Sequence, residues 1–255
     1  MVQQTAVAAS LSYSLYYHLR QYHYLESKTH FLVKKKQNNI IMAKITIIPS
    51  VKLDKNGVKT TQADGKDRSI ALHQGSLDGA CAVYSTIISL MCMGQINYED
   101  VDTVKIDKRS PKGKFLSMLL EQRGMNMQGW NLKTLAQEIN NTSDFDKKAT
   151  AVRKDYVDRV YDNIHAGFPS IIGISFKDNN ILGHAIVCIG VEESEKKDNT
   201  PVKLLCIDPS YPMPVTAYWN CVILLPKKYD DDTYFVYSTD EEKKDVLIDD
   251  AIIFI

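Results

Sequence analysis

The sequence predicts an α+β protein in which a helical N-terminal half packs on a C-terminal antiparallel sheet. Two observations predict this. Helix-type apolar runs crowd residues 81–166, and from Pro169 onward they give way to β-rich runs separated by polar loops. The scale also fits, because 255 residues with 44% hydrophobic and 24% charged side chains can bury one sizeable core.

Residues 1–41 stand apart. They are rich in Tyr, His, Gln and Asn, and the mildly apolar TAVAASLSYSLYY lacks the basic segment that precedes it in a Sec signal peptide. MAKITIIPSVKL begins at Met42 with strand-like alternation, as a natural start would. Residues 1–41 are therefore expected to be a disordered extension or a mis-assigned start, and 42–255 a single domain. A short amphipathic surface helix over LSYSLYYHLRQYHYL is the alternative.

KITIIPSV predicts a strand and DKNGVKTTQADGKDRS a polar loop. Asp78 stands where an N-cap would, ahead of the apolar run CAVYSTIISLMCM, and Gly94 closes that run as a C′ residue. Further helices are predicted over GKFLSMLLEQR, ended by Gly124, and over NLKTLAQEI. A last one covers ATAVRKDYVDRVYDNIHAG, where Val152, Tyr156, Val160 and Ile164 share a face and the chain stops before Pro169. PSIIGISF, GHAIVCIGVE, VKLLCIDPS and TAYWNCVILLP then read as strands, with TYFVY and DVLIDDAIIFI as a terminal hairpin.

Lys plus Arg equals Asp plus Glu at 31 each, so no net field draws the chain to nucleic acid or anionic membranes. No run approaches the roughly 18 apolar residues of a membrane helix. The cysteines at 81, 92, 188, 206 and 221 form no CxxC pair and are odd in number, which fits reduced thiols. A zinc site drawn from Cys188, Cys206 and His184 lacks the usual close ligand pairs, so no metal or other cofactor is expected. The expected location is the cytoplasm, or outside it by a route that needs no Sec signal.

The stretch HQGSLDGACAVY raises the question of chemistry. A thiol in the first turn of a helix faces aligned N–H groups and the positive end of the helix dipole, so Cys81 is the candidate nucleophile. Such a thiolate needs an imidazole, itself oriented by a carboxylate or amide. His184 follows Gly183 at the head of an almost wholly apolar strand, where the glycine would let a partner approach closely. Asp208 ends another hydrophobic run, and Pro209 stops the ladder there. If those strands are neighbours, Asp208 meets His184, fixes its tautomer and stabilises its imidazolium. Each residue also has a plainer reading: Cys81 a packed thiol, His184 a satisfied core histidine, Asp208 the cap of the DPSYP turn. His73 reads as an exposed loop residue, Cys92, Cys188 and Cys206 as core, and His165 and Trp130 have no partner that the sequence names.

Gln74, then Cys81 at a helix start, then GHAIVCIGV and CIDPS resemble the papain-like cysteine proteases, especially the branch of bacteriocin-leader-processing peptidases and their stand-alone relatives. IHAGFPSIIGISF is similar to that family's helix-to-strand step. The resemblance covers residues 70–225 by order and local motif. It implies a papain-like fold, Cys81 as nucleophile, His184 as general base and acid, and Asp208 as the orienting residue. It also implies that Gln74 donates to the oxyanion beside the backbone N–H of Cys81. Gln74 lies seven residues before Cys81 where the family pattern has six, and Ala82 stands where the family commonly has Gly. In this fold an aromatic often shields the histidine, and Trp219 is the candidate. The implied activity is cleavage of a peptide or isopeptide bond through a thioester, with a peptide or protein substrate as partner. Glutamine deamidation, transglutamination, acyl transfer and a non-catalytic binding role are the alternatives.

Overall fold

The computed structural model describes residues 43–74, 80–122, 130–194, 200–230 and 232–255. The extension expected over 1–41, the start at Met42 and the expected caps Asp78 and Gly124 lie outside the described residues.

The first strand, β1 (Ala43–Ile47), ends before Pro49, which has no N–H to give to a ladder. Residues 54–69, expected as a polar loop, contain instead β3 (Gly57–Thr61) and β4 (Asp67–Ser69), which form a small antiparallel sheet with the preceding β2 (Val51–Asp54). Lys52 pairs with Asp67 at 3.0 Å and Lys59 with Asp54 at 2.7 Å. Charge pairs of this kind support a sheet as apolar pairs do, but they hide it from a hydrophobic pattern. Helix α1 (Cys81–Cys92) follows, with Ala80 at its N-cap and Gly94, at φ +66°, just past its end. Ser110 caps α2 (Pro111–Ser117), which runs on as a π-helical turn over Met118–Gln122. Asn131 caps α3 (Leu132–Asn141) by accepting from the N–H groups of Lys133 and Thr134.

The helix expected from Ala149 to Gly167 is divided. Ala149–Val152 is strand β5, only Tyr156–His165 (α4) is helical, and Asp155 makes the break in the left-handed region at φ +51°. Val152 thus belongs to a sheet and not to the helix face of Val160 and Ile164. The reason is non-local: Ala149 to Val152 pair with the C-terminal strand, Ala149 opposite Phe254. The other strands are β6 (Ser170–Phe176), β7 (Asn179–Ser194), β8 (Thr200–Ile207), β9 (Cys221–Leu224), β10 (Phe235–Thr239) and β11 (Lys243–Phe254). The last two form a hairpin.

These strands correct the expected papain-like α+β architecture. The sheet runs β7-β6-β11-β10-β9-β8, and β8 pairs back onto β7, closing a six-stranded antiparallel barrel to which β1 and β5 are added. A barrel this narrow holds only side chains inside. Accordingly three of the four α-helices of the described residues lie against the sheet, α1 on β6 and β7, α3 on β5 and β11, and α4 on β7 and β11, and the helices form no separate half. Closure depends on strand length. At 16 residues, β7 takes β6 and then β1 along one edge, and β8 along the other. A strand's own alternation shows which of its faces are covered but not which distant strand completes the ring.

Burial follows from this geometry. On β9 and β10 only Cys221, Ile223, Phe235 and Tyr237 are buried, the alternation of a strand with one face on the barrel interior. Residues 185–191 of β7 are buried throughout, because helices cover its outer face. Each large aliphatic enclosed there contributes about 1.5–3 kcal/mol. Polar contacts also fasten α4, since Tyr161 donates at 2.6 Å to buried Glu193, which pairs with Lys44 at 3.2 Å and lies 3.5 Å from His165. Among the described residues no helix is long and apolar enough to cross a membrane.

Candidate active site

Cys81 is the first residue of α1 and is half-buried. One turn later Ser85 donates a 2.9 Å hydrogen bond to the carbonyl of Ala185, which pins the helix start against the strand that carries His184. The Cys81 sulfur is hydrogen-bonded to His184 and receives backbone N–H groups from Ala185 and Ala82. Burial pushes the thiol up, but the imidazole's hydrogen bond and charge, helped by those two amides, hold it below its ordinary range.

The pairing of β7 with β8, Val187 opposite Ile207, brings Asp208 to the imidazole. Nε2 of His184 lies 2.7 Å from Oδ2 of Asp208, which leaves Nδ1 for the thiol. Burial by itself lowers the His184 pKa, yet Asp208 first and Cys81 second raise it to about 10. Phe176 stacks on the ring, with 6.1 Å between centroids.

Asp208 is wholly buried and satisfied. Oδ2 also accepts from the Tyr237 hydroxyl at 2.6 Å, and Oδ1 accepts from the Ser210 N–H at 2.7 Å. Burial alone would raise its pKa; the imidazole, Tyr237 and the Ser210 amide bring it below the usual carboxylate value. Asn220 fastens the turn after β8, accepting from the Asp208 N–H at 2.7 Å and donating to the carbonyls of Asp208 at 2.8 Å and Tyr211 at 2.9 Å.

The fold thus places Cys81, His184 and Asp208 in one chain of contacts. Gln74 reaches the same turn from outside the cleft: its N–H donates to the carbonyl of Pro209 at 2.8 Å and its amide donates to Ser210 Oγ at 2.7 Å. Gln74 Oε1 is buried without a hydrogen-bond partner, and residues 75–79, between it and the thiol, lie outside the described residues. The close approach expected at Gly183 does not occur, since a Cβ there would meet nothing within 4 Å. Trp219 lines a different cavity, so the ring over His184 is Phe176 instead. His73 is exposed, Cys92 is core, and Cys206 lies opposite both Cys188 and Cys221 within the barrel wall. Among the described residues no group of three or more His, Cys, Asp or Glu could hold a metal ion.

Sequence reading missed Tyr237, Ser210, Asn220 and Phe176. Only Tyr237 left a signal: its buried hydroxyl on an otherwise apolar strand face requires a partner. Above the thiol and imidazole opens a cleft of about 230 Å³, whose lining includes Trp130, Asn131, Asp249 and Asp250. Compared with protein-family models and with curated proteins, the chain matches none.

Proposed function

We propose that this protein is a cysteine hydrolase that cleaves a peptide or isopeptide bond through Cys81, His184 and Asp208. One observation carries the reading: a helix-start thiol with a lowered pKa is hydrogen-bonded to an imidazole whose other nitrogen is held by a buried carboxylate. The motif order that resembles the papain-like proteases supports the same roles, although the papain-like architecture does not hold.

The chemistry follows from the contacts. The Cys81 thiolate attacks the carbonyl carbon, and the oxyanion forms near the helix start, where the first-turn N–H groups have no intrahelical acceptor. His184 delivers its proton to the leaving amine, the C–N bond breaks and a thioester remains. Water then attacks the thioester while His184 takes a proton, the C–S bond breaks, and the ion pair is restored. Asp208 keeps the imidazolium in place through both halves. Gln74, outside the cleft, is left without a part in these steps and holds the turn after Asp208 through Pro209 and Ser210.

Deamidation and acyl transfer share the first half of this sequence and differ in the group that leaves or resolves the thioester. Incubation with activated peptide esters, acid quenching and intact-mass measurement should show an acyl adduct on Cys81 that hydroxylamine removes. Parallel assays of peptide cleavage and of ammonia release from glutamine amides separate the outcomes. A Cys81 that forms no adduct with any ester would sink the proposal and leave a binding role.

A further inference from the structure

We infer that the substrate carries a cationic side chain, Lys or Arg, beside the carbonyl that Cys81 attacks, an inference that rests on the hydrolase reading above. The cleft that holds Cys81 and His184 is walled on another side by Asp249 and Asp250. Consecutive residues of a regular strand point to opposite faces, so this pair needs an explanation. The register between β11 and β6 supplies it: Ile248 lies opposite Ile174 and Asp250 opposite Gly173, so Asp249 is an extra, bulged residue. The bulge lets both carboxylates line one cleft.

Gly173 makes the room. A Cβ at that position would fall 2.4 Å from Asp250 Oδ1 and 3.3 Å from Leu132 Cδ1, so any side chain there would displace the carboxylate. Asp250 is half-buried, and among the described residues its carboxylate has no hydrogen bond and no ion pair; Arg153 acts on it only at longer range. Asp249 accepts a hydrogen bond from Ser175 and has no cation either. Burial and then the charge of Asp249 raise the Asp250 pKa, as befits a carboxylate that lacks a cation.

Asp208 is the internal contrast, a carboxylate of the same chain that is fully buried and meets three donors. A half-buried carboxylate without a donor is costly, and an ammonium or guanidinium entering the cleft would remove that cost. The thiolate and imidazolium cancel each other's charge, so the two aspartates leave the cleft negative. An acidic substrate side chain is thereby disfavoured as strongly as a basic one is favoured.

Paired peptidyl chloromethyl ketones test the inference, one with Arg and one with norleucine next to the reactive carbon, their alkylation of Cys81 followed by intact mass. The Arg probe should react about tenfold faster or more, the size of one hydrogen-bonded charge contact. Asp250→Asn should reduce that ratio severalfold, and the Asp249→Asn Asp250→Asn pair should bring it near one. Iodoacetamide, which has no cationic group, should label Cys81 in all these proteins, so the ratio of the two ketones and not the reactivity of the thiol carries the test. Equal rates for the two ketones, or a preference that survives both substitutions, would overturn the inference while the hydrolase reading stands. If Cys81 ignores iodoacetamide and both ketones, the hydrolase reading fails and the inference falls with it.

Discussion

Cys81 is half-buried and Cys206 wholly buried, and the protein holds their protons in opposite ways. Cys206 is wholly buried in β8, opposite Cys188 on one side and Cys221 on the other, and burial drives its pKa well above the ordinary thiol value. Cys188 and Cys221 are raised by burial as well. Cys81, half-buried, also carries a burial penalty, but an imidazolium and two amides reverse it. Burial therefore does not silence a thiol by itself; what matters is whether a cation is built in beside it. That cation exists because Asp208 holds it, only two residues beyond Cys206.

The largest expected effect comes from removing the charge behind the imidazole. Asp208→Asn keeps the shape, but an amide cannot balance an imidazolium and can favour the wrong tautomer, so turnover should fall about 10³- to 10⁴-fold. Steady-state hydrolysis of the best peptide ester measures it, with circular dichroism to verify folding. Retained turnover would reduce Asp208 to a turn residue.

The next effect is on the thiol itself. At about pH 6 an ordinary thiol of pKa near 8.5 is almost wholly protonated, so brief iodoacetamide treatment should modify Cys81 and spare Cys92, Cys188, Cys206 and Cys221. His184→Ala should slow that labelling about tenfold or more, by less than the lost thiolate fraction alone, because a less stabilised thiolate is also a better nucleophile. The pH dependence has a definite sign. His184 is raised to about 10, so its contribution to folding is complete below the unfolded value near 6.5 and fades as pH climbs towards 10. Asp208 is lowered, so its contribution is present above the unfolded value near 3.9 and is lost on further acidification. The thermal midpoint of the parent protein minus that of His184→Ala should shrink between those alkaline limits. Labelling that ignores His184 would erase the contrast between the two thiols.

Tyr237 tests how far the support for that contrast extends. Tyr237→Phe removes the 2.6 Å donor from Asp208 but leaves His184 and the Ser210 amide in place. Losing a hydrogen bond to a buried charge should cost about 1.5–3 kcal/mol of stability. Turnover should drop only about tenfold, and its acid limb should move to higher pH, since Asp208 loses one of the groups that keep its pKa low. An unmoved acid limb would make Tyr237 a packing residue alone.

The residues that the sequence made legible share a position. Cys81, His184 and Asp208 each stand where an apolar run meets a turn or a glycine, so a polar side chain there looks out of place. Tyr237, Asp249 and Asp250 were not legible because their roles depend on register between distant segments: Tyr237 meets Asp208 past the intervening β9, and Asp249 enters the cleft only through a bulge against β6; Phe176 was hidden by the irregular pairing of β6 with β7. The barrel was hidden for the same reason, since the pairing of β7 with β8 that closes it leaves no mark on either strand alone. The small sheet of β2 to β4 was hidden by its charges, and β5 by the helical pattern into which it runs.

The smallest expected effect is the one that can break the comparison most cleanly. Cys188→Ala removes one thiol from the row that faces Cys206, along with the hydrogen bond that Cys188 Sγ makes to the carbonyl of Gly190 at 3.3 Å. The deleted sulfur leaves a cavity in a fully enclosed wall, so stability should fall by about 1–2 kcal/mol, read from urea unfolding. Cys81 should nevertheless be labelled at an unchanged rate, because its charge balance is set by His184 and the Ala82 and Ala185 amides, and Cys188 is not among the groups that act on it. A Cys188→Ala protein in which Cys81 labelling slows severalfold would show that the buried row helps to place Asp208. The silent thiols and the reactive one would then be two ends of a single mechanical unit rather than two independent environments.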